Sequence, residues 1–289
     1  MRNRLRPHPS HERSSLVVSR RTGLLALPGL ALLLAGFLIP SIAMLFAPPG
    51  VSPVDILERL GRMLTDPFDL AIIGRTVGLG LIVTVICIVL GFPIAYLLAR
   101  STSRWSGVLL ALAIFPLLLS NVVRTFGWLV LLGSNGAIGQ LLTGLGLVDR
   151  APQLLYTELA IVLGLTQLFL PLAIISCYSA VAQVDPGLDD AARGLGASRT
   201  RTFWGIVVPL SAPGMVVAST LVFAGSVTAY TTPYLLGGSS QRMLSTQLYS
   251  YSSVTIDWAA ASATAIIMTV LVFAVSGLSA VAGRRGATA

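Results

Sequence analysis

Lysine is missing from this 289-residue chain, and all 19 of its basic side chains are Arg. A phosphate-binding P-loop needs a Lys that reaches the β- and γ-phosphates of a nucleotide. The chain cannot supply that group, so if a nucleotide powers its work, that nucleotide is bound elsewhere. Charge of either sign is scarce, at 10% of residues against 55% apolar. A soluble domain carries roughly 25% charged residues, and a chain this poor in charge cannot cover a globule with solvated groups. The two cysteines, Cys87 and Cys177, fall inside apolar runs, where they behave as small hydrophobes. That excludes a disulfide framework and any metal-ligand spacing. The two histidines, His8 and His11, lie in a polar N-terminal stretch. The apolar runs therefore hold no imidazole to activate a nucleophile or to build an acid–His proton relay. Strict apolar–polar alternation, the mark of a membrane barrel, is absent too.

Long apolar runs are what the chain has. Six are bounded by charge or by turn residues: Leu24–Ala47, Thr76–Ala99, Trp105 to about Leu132, Leu159–Val184, a fifth of about 25 residues ending near Leu236, and Trp258–Gly283. Each is long enough to cross a bilayer, where only helices satisfy their own backbone without closing a barrel. The expected fold is an all-α membrane protein of about six transmembrane helices. It divides into a basic tail over 1–22, a first helix and following segment over 23–69, a main transmembrane domain over 70–283 and a short tail over 284–289. The first run is too long for a cleaved signal core and reads as a retained helix. Pro93, Pro116 and Pro171, with Gly164 and Gly225, fall inside the runs and are candidate kinks or cavity-lining breaks. Gly74 and Gly78 fit a small-xxx-small packing pattern.

The net charge is +8, and the Arg residues cluster in segments between runs rather than on one face. That distribution argues for membrane orientation and against nucleic acid. With the N terminus inside, the inner segments hold the six tail Arg, Arg100, Arg104, Arg193, Arg199, Arg201, Arg284 and Arg285. An even number of spans then places both termini in the cytoplasm of an inner-membrane protein surrounded by lipid. Some side chains near the runs are candidates for a solute path. Arg124 lies at membrane depth, where an ionisable residue is either functional or snorkels to the interface. Trp128, Tyr230, Tyr234 and Trp258 are able to stack on a cation or to form an interfacial belt. Asp257 is positioned to meet an ammonium group or to cap the sixth helix. No catalytic constellation and no cofactor are expected. An ion-coupled secondary carrier is the alternative class; it needs intramembrane ion sites or inverted repeats.

The segment between the fourth and fifth runs differs from the other loops. Pro186-Gly187 favours a tight bend. Leu188–Leu195 can form a short helix with Asp189 and Asp190 in its first turn, where the dipole favours acids. Gly196 can stop it. Ser198 can cap a second short helix through Phe203 and Ile206, with Pro209 at the entry to the next span. The expected product is a helix–Gly–helix elbow that offers the small residues Ala191, Ala192 and Gly196 to an approaching protein.

This loop resembles the EAA loop of the permeases of binding-protein-dependent ABC importers. That pattern is Glu-Ala-Ala, three residues, Gly, nine residues, Ile, one residue, Leu-Pro. Asp190-Ala191-Ala192, Gly196 (followed by Ala197), Ile206 and Pro209 stand at those spacings, with Asp for Glu and Val208 for Leu. The segments Val123–Trp128, Leu131–Gly136, Pro209–Gly214, Thr232–Gly238 and Asp257-Trp258 are similar to the spermidine/putrescine branch of the family, and the likeness runs from about 70 to 283. The resemblance implies a MetI-like ABC transporter transmembrane domain whose elbow is a coupling helix. It further implies a dimer of ATP-binding subunits, a second permease chain of related sequence, and a periplasmic binding protein that delivers a small solute such as a polyamine.

Overall fold

A computed structural model describes residues 28–286 apart from 33, 47, 49, 102, 135 and 151. The basic tail over 1–22, the start of the first run and the final three residues lie outside the described residues. The chain divides after Ala47 into two compact units. The first contains an apolar helical segment, Pro28–Ala43, that ends in α1 (Ile39–Phe46).

In the second unit, α2 (Pro53–Met63) starts at a capping box. Ser52 Oγ accepts from the Val54 amide, and Asp55 Oδ2 accepts from the Ser52 amide at 3.0 Å. Asp66 caps α3 (Pro67–Arg100), whose Pro67 sits in the first turn, where a missing N–H costs nothing. The later long helices are α7 (Glu158–Ala182), α10 (Val208–Thr228) and α13 (Trp258–Gly286). α10 continues the run begun at Arg199, so Arg199–Thr228 forms one 30-residue span. Among the described residues four helices are long and apolar enough to cross a membrane.

The third run departs from the expected single span. α4 (Ser106–Ile114) passes through a tight turn at Phe115–Leu118, and the chain restarts as α5 (Asn121–Leu132) and α6 (Ala137–Gly144). The two halves meet at 91°. Pro116 cannot donate within the turn, and Leu119 adopts an extended conformation (ψ 141°) that no helix continues. Counted with this bent pair as one crossing, the described chain holds up to five spans. The fifth run also ends early: Ala229 is extended (ψ 126°), and residues up to Gly237 form a separate short helix, α11 (Thr231–Gly237). Pro93 and Pro171, by contrast, lie within unbroken helices.

α3, α7 and α10 form the packed centre. Leu79, Val83 and Cys87 of α3 meet Ile161, Leu165 and Ala173 of α7 and Val222 of α10 in one buried cluster. Close approach is set by glycine. A Cβ on Gly91 would stand 3.3 Å from that of Ala173, and one on Gly214 of α10 would collide with Ala180 of α7. Gly74 and Gly78 meet nothing within 4 Å, so the small-xxx-small pair makes no contact among the described residues. Some buried hydroxyls are satisfied within their own helices: Thr84 donates to the Gly80 carbonyl at 2.7 Å and Ser226 to that of Val222 at 2.8 Å. The outer faces stay apolar, with Val130 at 74% and Phe273 at 73% exposure, as lipid contact requires.

α3 and α7 run parallel, and an arginine of α3 binds the α7 region at each end. Arg75 Nε lies 2.9 Å from Glu158 Oε1 at the start of α7. Arg100 Nη1 donates to the Val184 carbonyl just past its end, at 2.9 Å.

Candidate functional site: the elbow and the opposite end

The Arg100 end carries the elbow. Asp185 caps α8 (Pro186–Gly194) by accepting from the Gly187 amide at 2.8 Å. The helix closes in a Schellman arrangement: the Gly196 amide donates to Arg193 O, and the Ala197 amide to Ala192 O, both at 3.0 Å. Gly196 has φ +87°, in the left-handed region that an L side chain enters only with strain. Ser198 then caps α9 (Arg199–Thr202) by accepting from the Arg201 amide at 3.3 Å. The Ser198 cap and the Gly196 stop match the expectation from sequence; the Asp185 cap starts the helix two residues earlier than expected.

The second half of the elbow differs from it. α9 passes through a π turn at Phe203–Val207 straight into α10 instead of ending as a separate short helix. In the turn the Val208 amide reaches back to Phe203 O. The wider spacing leaves Pro209 without a donor where the π turn meets α10, so the ring does not break the helix. Force applied to the elbow therefore enters the spanning helix along a continuous rod.

Of the expected elbow residues, Asp190, Ala191, Gly196 and Pro209 are exposed, and Ala192, Ala197 and Ile206 are half-buried. They thus lie on an accessible surface, with the two helices meeting at the glycine. Leu195, between Gly194 and Gly196, is 91% exposed, a bare apolar knob at the bend. It carries no sequence signal beyond its two glycine neighbours.

What fixes the elbow to the bundle was not anticipated. Phe203 inserts its ring among Phe92 (centroids 5.6 Å apart), Tyr96 (5.0 Å) and Trp204 (5.2 Å). Arg100 Nε stands 2.9 Å from Asp189 Oδ2, with both side chains 14% exposed. A cavity of about 820 Å³ opens beneath, lined by Tyr96, Arg100, Asp189, Asp190, Arg193 and Phe203 among others. The periodicity of α3 gave only a weak signal for these partners, because Arg100 reads equally well as a boundary charge.

The Arg75 end gathers tyrosines. Tyr230, in the break after α10, stacks on Tyr234 of α11 at 5.1 Å between centroids. Tyr249, from α12 (Leu244–Tyr249), joins them 4.5 Å from Tyr230. Tyr249 was missed by sequence reasoning, since nothing in its spacing links it to the other two. A cavity of about 420 Å³ beside them is lined by Tyr156, Tyr234, Tyr249, Arg242 and Gln247 among others. Tyr156 belongs to this end: its amide donates to Leu236 O at 2.8 Å, and Arg75 Nη1 reaches Arg242 O at 3.4 Å.

The other path candidates do not join this group. Trp128 Nε1 donates to Gln167 Oε1 at 3.2 Å, on α7. Asp257 Oδ1 accepts from the Ala260 amide at 3.0 Å, which is the geometry of a helix cap. Trp258, at the start of α13, makes no ring contact with the tyrosines among the described residues. Arg124 keeps Nε and Nη1 shielded, with no hydrogen-bond partner among the described residues. No group of His, Cys, Asp and Glu that could hold a metal occurs among the described residues.

Comparison with known proteins agrees with this layout. The chain is 30% identical over 221 residues to the spermidine/putrescine transport system permease protein PotB of Salmonella typhimurium, covering 76% of this chain and 77% of that one. It is 30% identical over 225 residues to the molybdenum transport system permease protein ModB of Mycobacterium bovis, covering 77% and 83%. Its fold matches a chain of a bacterial alginate ABC transporter solved with an alginate pentasaccharide-bound periplasmic protein. That match has a TM-score of 0.71 at 17% identity, over 93% of this chain and 96% of that one. Residues 91–286 match the model of the binding-protein-dependent transport system inner membrane component. With an all-helical transmembrane bundle, an ordered elbow and a family match over most of its length, the chain belongs to the binding-protein-dependent transport system inner membrane components, the permease subunits of ABC importers.

Proposed function

We propose that this permease moves a small organic solute of the polyamine class, driven by ATP hydrolysis on separate chains that dock on the elbow. The observation that carries the reading is the elbow itself. Asp190, Ala191 and Gly196 stand exposed on a capped helix–Gly–helix bend that runs without interruption into a spanning helix. A docked motor that pushes Asp190, Ala191, Ala192, Gly196 and Ala197 displaces α10 directly, with Ile206 and Pro209 in the connecting rod. The Lys-free sequence assigns the nucleotide to the partner. The excess of Arg in the elbow segment and in the tails favours a cytoplasmic elbow and cytoplasmic termini. Two ATP-binding subunits, a second, related permease chain and a periplasmic binding protein complete the assembly, the last in keeping with the alginate transporter solved with a periplasmic protein.

The polyamine class rests on the relatives named for spermidine and putrescine and on the tyrosine group at the other end. Three ring faces of Tyr230, Tyr234 and Tyr249 suit an ammonium chain, since a cation over a ring gains about 0.5–2 kcal/mol. Arg124, Trp128 and Trp258 remain candidates for later points on the path, whereas Asp257 serves as a helix cap.

The test is Gly196→Trp, made beside Gly196→Ala. Both enter the strained φ, but no heavy atom lies within 4 Å of the added Cβ, so the helices stay inserted. The Trp variant is expected to lose its ATPase subunit on co-purification, and the Ala variant to retain it. Normal ATPase retention by the Trp variant would contradict the docking role.

A further inference from the structure

We propose that Arg100 is a positioning residue that makes the elbow and the elbow-side ends of α3 and α7 move as one piece. The inference rests on the coupling role given to the elbow above and adds how that segment is held. α8 is a nine-residue helix with no buried residue of its own. Packing therefore does not fix it against the bundle. Its partner α9 is fixed by the Phe203 ring, but Gly196 lies between the two and leaves α8 free to pivot.

Arg100 removes that freedom. It is the last residue of α3. Its Nη1 donates to the Val184 carbonyl beyond the end of α7 at 2.9 Å, and its Nε stands 2.9 Å from Asp189 Oδ2 of α8 in an ion pair rather than an aligned hydrogen bond. One guanidinium thus ties three elements. Its planar fork serves two acceptors in different directions, which a Lys ammonium on a flexible stem would not fix. Both partners of the ion pair are largely withdrawn from solvent, so salt and water screen it less than a surface pair. Arg100 Nε and Nη2 and Asp189 Oδ1 are shielded and have no hydrogen-bond partner among the described residues. With Asp189 Oδ2 they are the atoms of a two-point pairing, so a small side-chain adjustment tightens the tie without moving α8.

The experiment places spin labels on Val89→Cys of α3 and Leu195→Cys of the elbow, which are 62% and 91% exposed in the parent. Cys87 and Cys177 are fully buried and stay unlabelled. Distances are read by pulsed electron resonance in the complete transporter in lipid nanodiscs, first without nucleotide and then trapped with ATP and vanadate. The parent is expected to give one narrow distribution that trapping does not move. Arg100→Gln and Asp189→Asn are each expected to broaden it roughly twofold and to let trapping shift it. The double variant should be no broader than either single one, because both remove the same link. Asp189→Glu, which keeps the charge, should restore the narrow form.

Single variants as narrow as the parent, additive broadening, or a parent distance that moves on trapping would each overturn the proposal. A Gly196→Trp protein that keeps its ATPase would instead overturn the coupling role and leave the nucleotide-free widths as a test of the tie alone.

Discussion

The Asp257 carboxylate is spent on its own helix. It accepts from the Ala260 amide one turn ahead, which offsets one of the unpaired donors at the start of α13. Asp257→Ala should therefore lower thermal stability by about 0.5–2 kcal/mol. Asp257→Asn and Asp257→Ser, which keep an acceptor, should melt like the parent. All three should take up spermidine at the parental rate per folded molecule. A loss of uptake in the Asn variant at unchanged melting temperature would return Asp257 to the solute path. At this scale the sequence was informative where chemistry is local. The caps at Asp185 and Ser198 and the left-handed Gly196 follow from residue type and spacing within a few positions. Arg100 with Asp189, and Tyr249 with Tyr230, are 89 and 19 positions apart by numbering, and no local pattern links them.

Between elements, glycine decides how closely the helices pack. A Cβ on Gly164 of α7 would come within 2.6 Å of Thr232 and 2.7 Å of Leu236, both on α11. Those two residues are buried, so they have no room to withdraw. Gly164→Val should destabilise the protein by about 1–3 kcal/mol through overpacking, read as a lower melting midpoint. Because the same contact holds α11 against the bundle, the substitution should also displace Tyr234. The helical runs themselves were legible from charge boundaries, and four of them became long helices. The breaks were not. Pro116 and Pro171 look alike in the sequence, yet α7 runs through Pro171 and the third run folds over at Pro116. The difference lies in the neighbours. Pro171 is buried and supported on all sides, whereas the stretch around Pro116 contains no buried residue.

Across the whole molecule the two ends carry different chemistry. The elbow end has an exposed, capped bend, and the other has stacked phenols and a smaller cavity. Topology follows if the first faces the cytoplasm. Leu195→Cys should react with a membrane-impermeant maleimide in inside-out vesicles and stay unreacted in right-side-out ones. Labelling in the opposite pattern would invert the proposed orientation. The parallel course of α3 and α7, the second and fourth runs, was implied by the alternation of spans. That the pair is tied at both ends by arginines was not, because each Arg also reads as an ordinary boundary charge.

Those ties have a further consequence. Arg75 and Arg100 are 25 positions apart on a continuous helix, or about 37 Å at 1.5 Å per residue. The hydrocarbon layer is about 30 Å thick. A tilt of roughly 35° would bring both guanidinium groups to its boundaries, inside the range seen for crossing helices. The spacing of the two arginines along one helix thus fixes the tilt that a bilayer of given thickness requires, and acyl chains of another length would ask for another tilt.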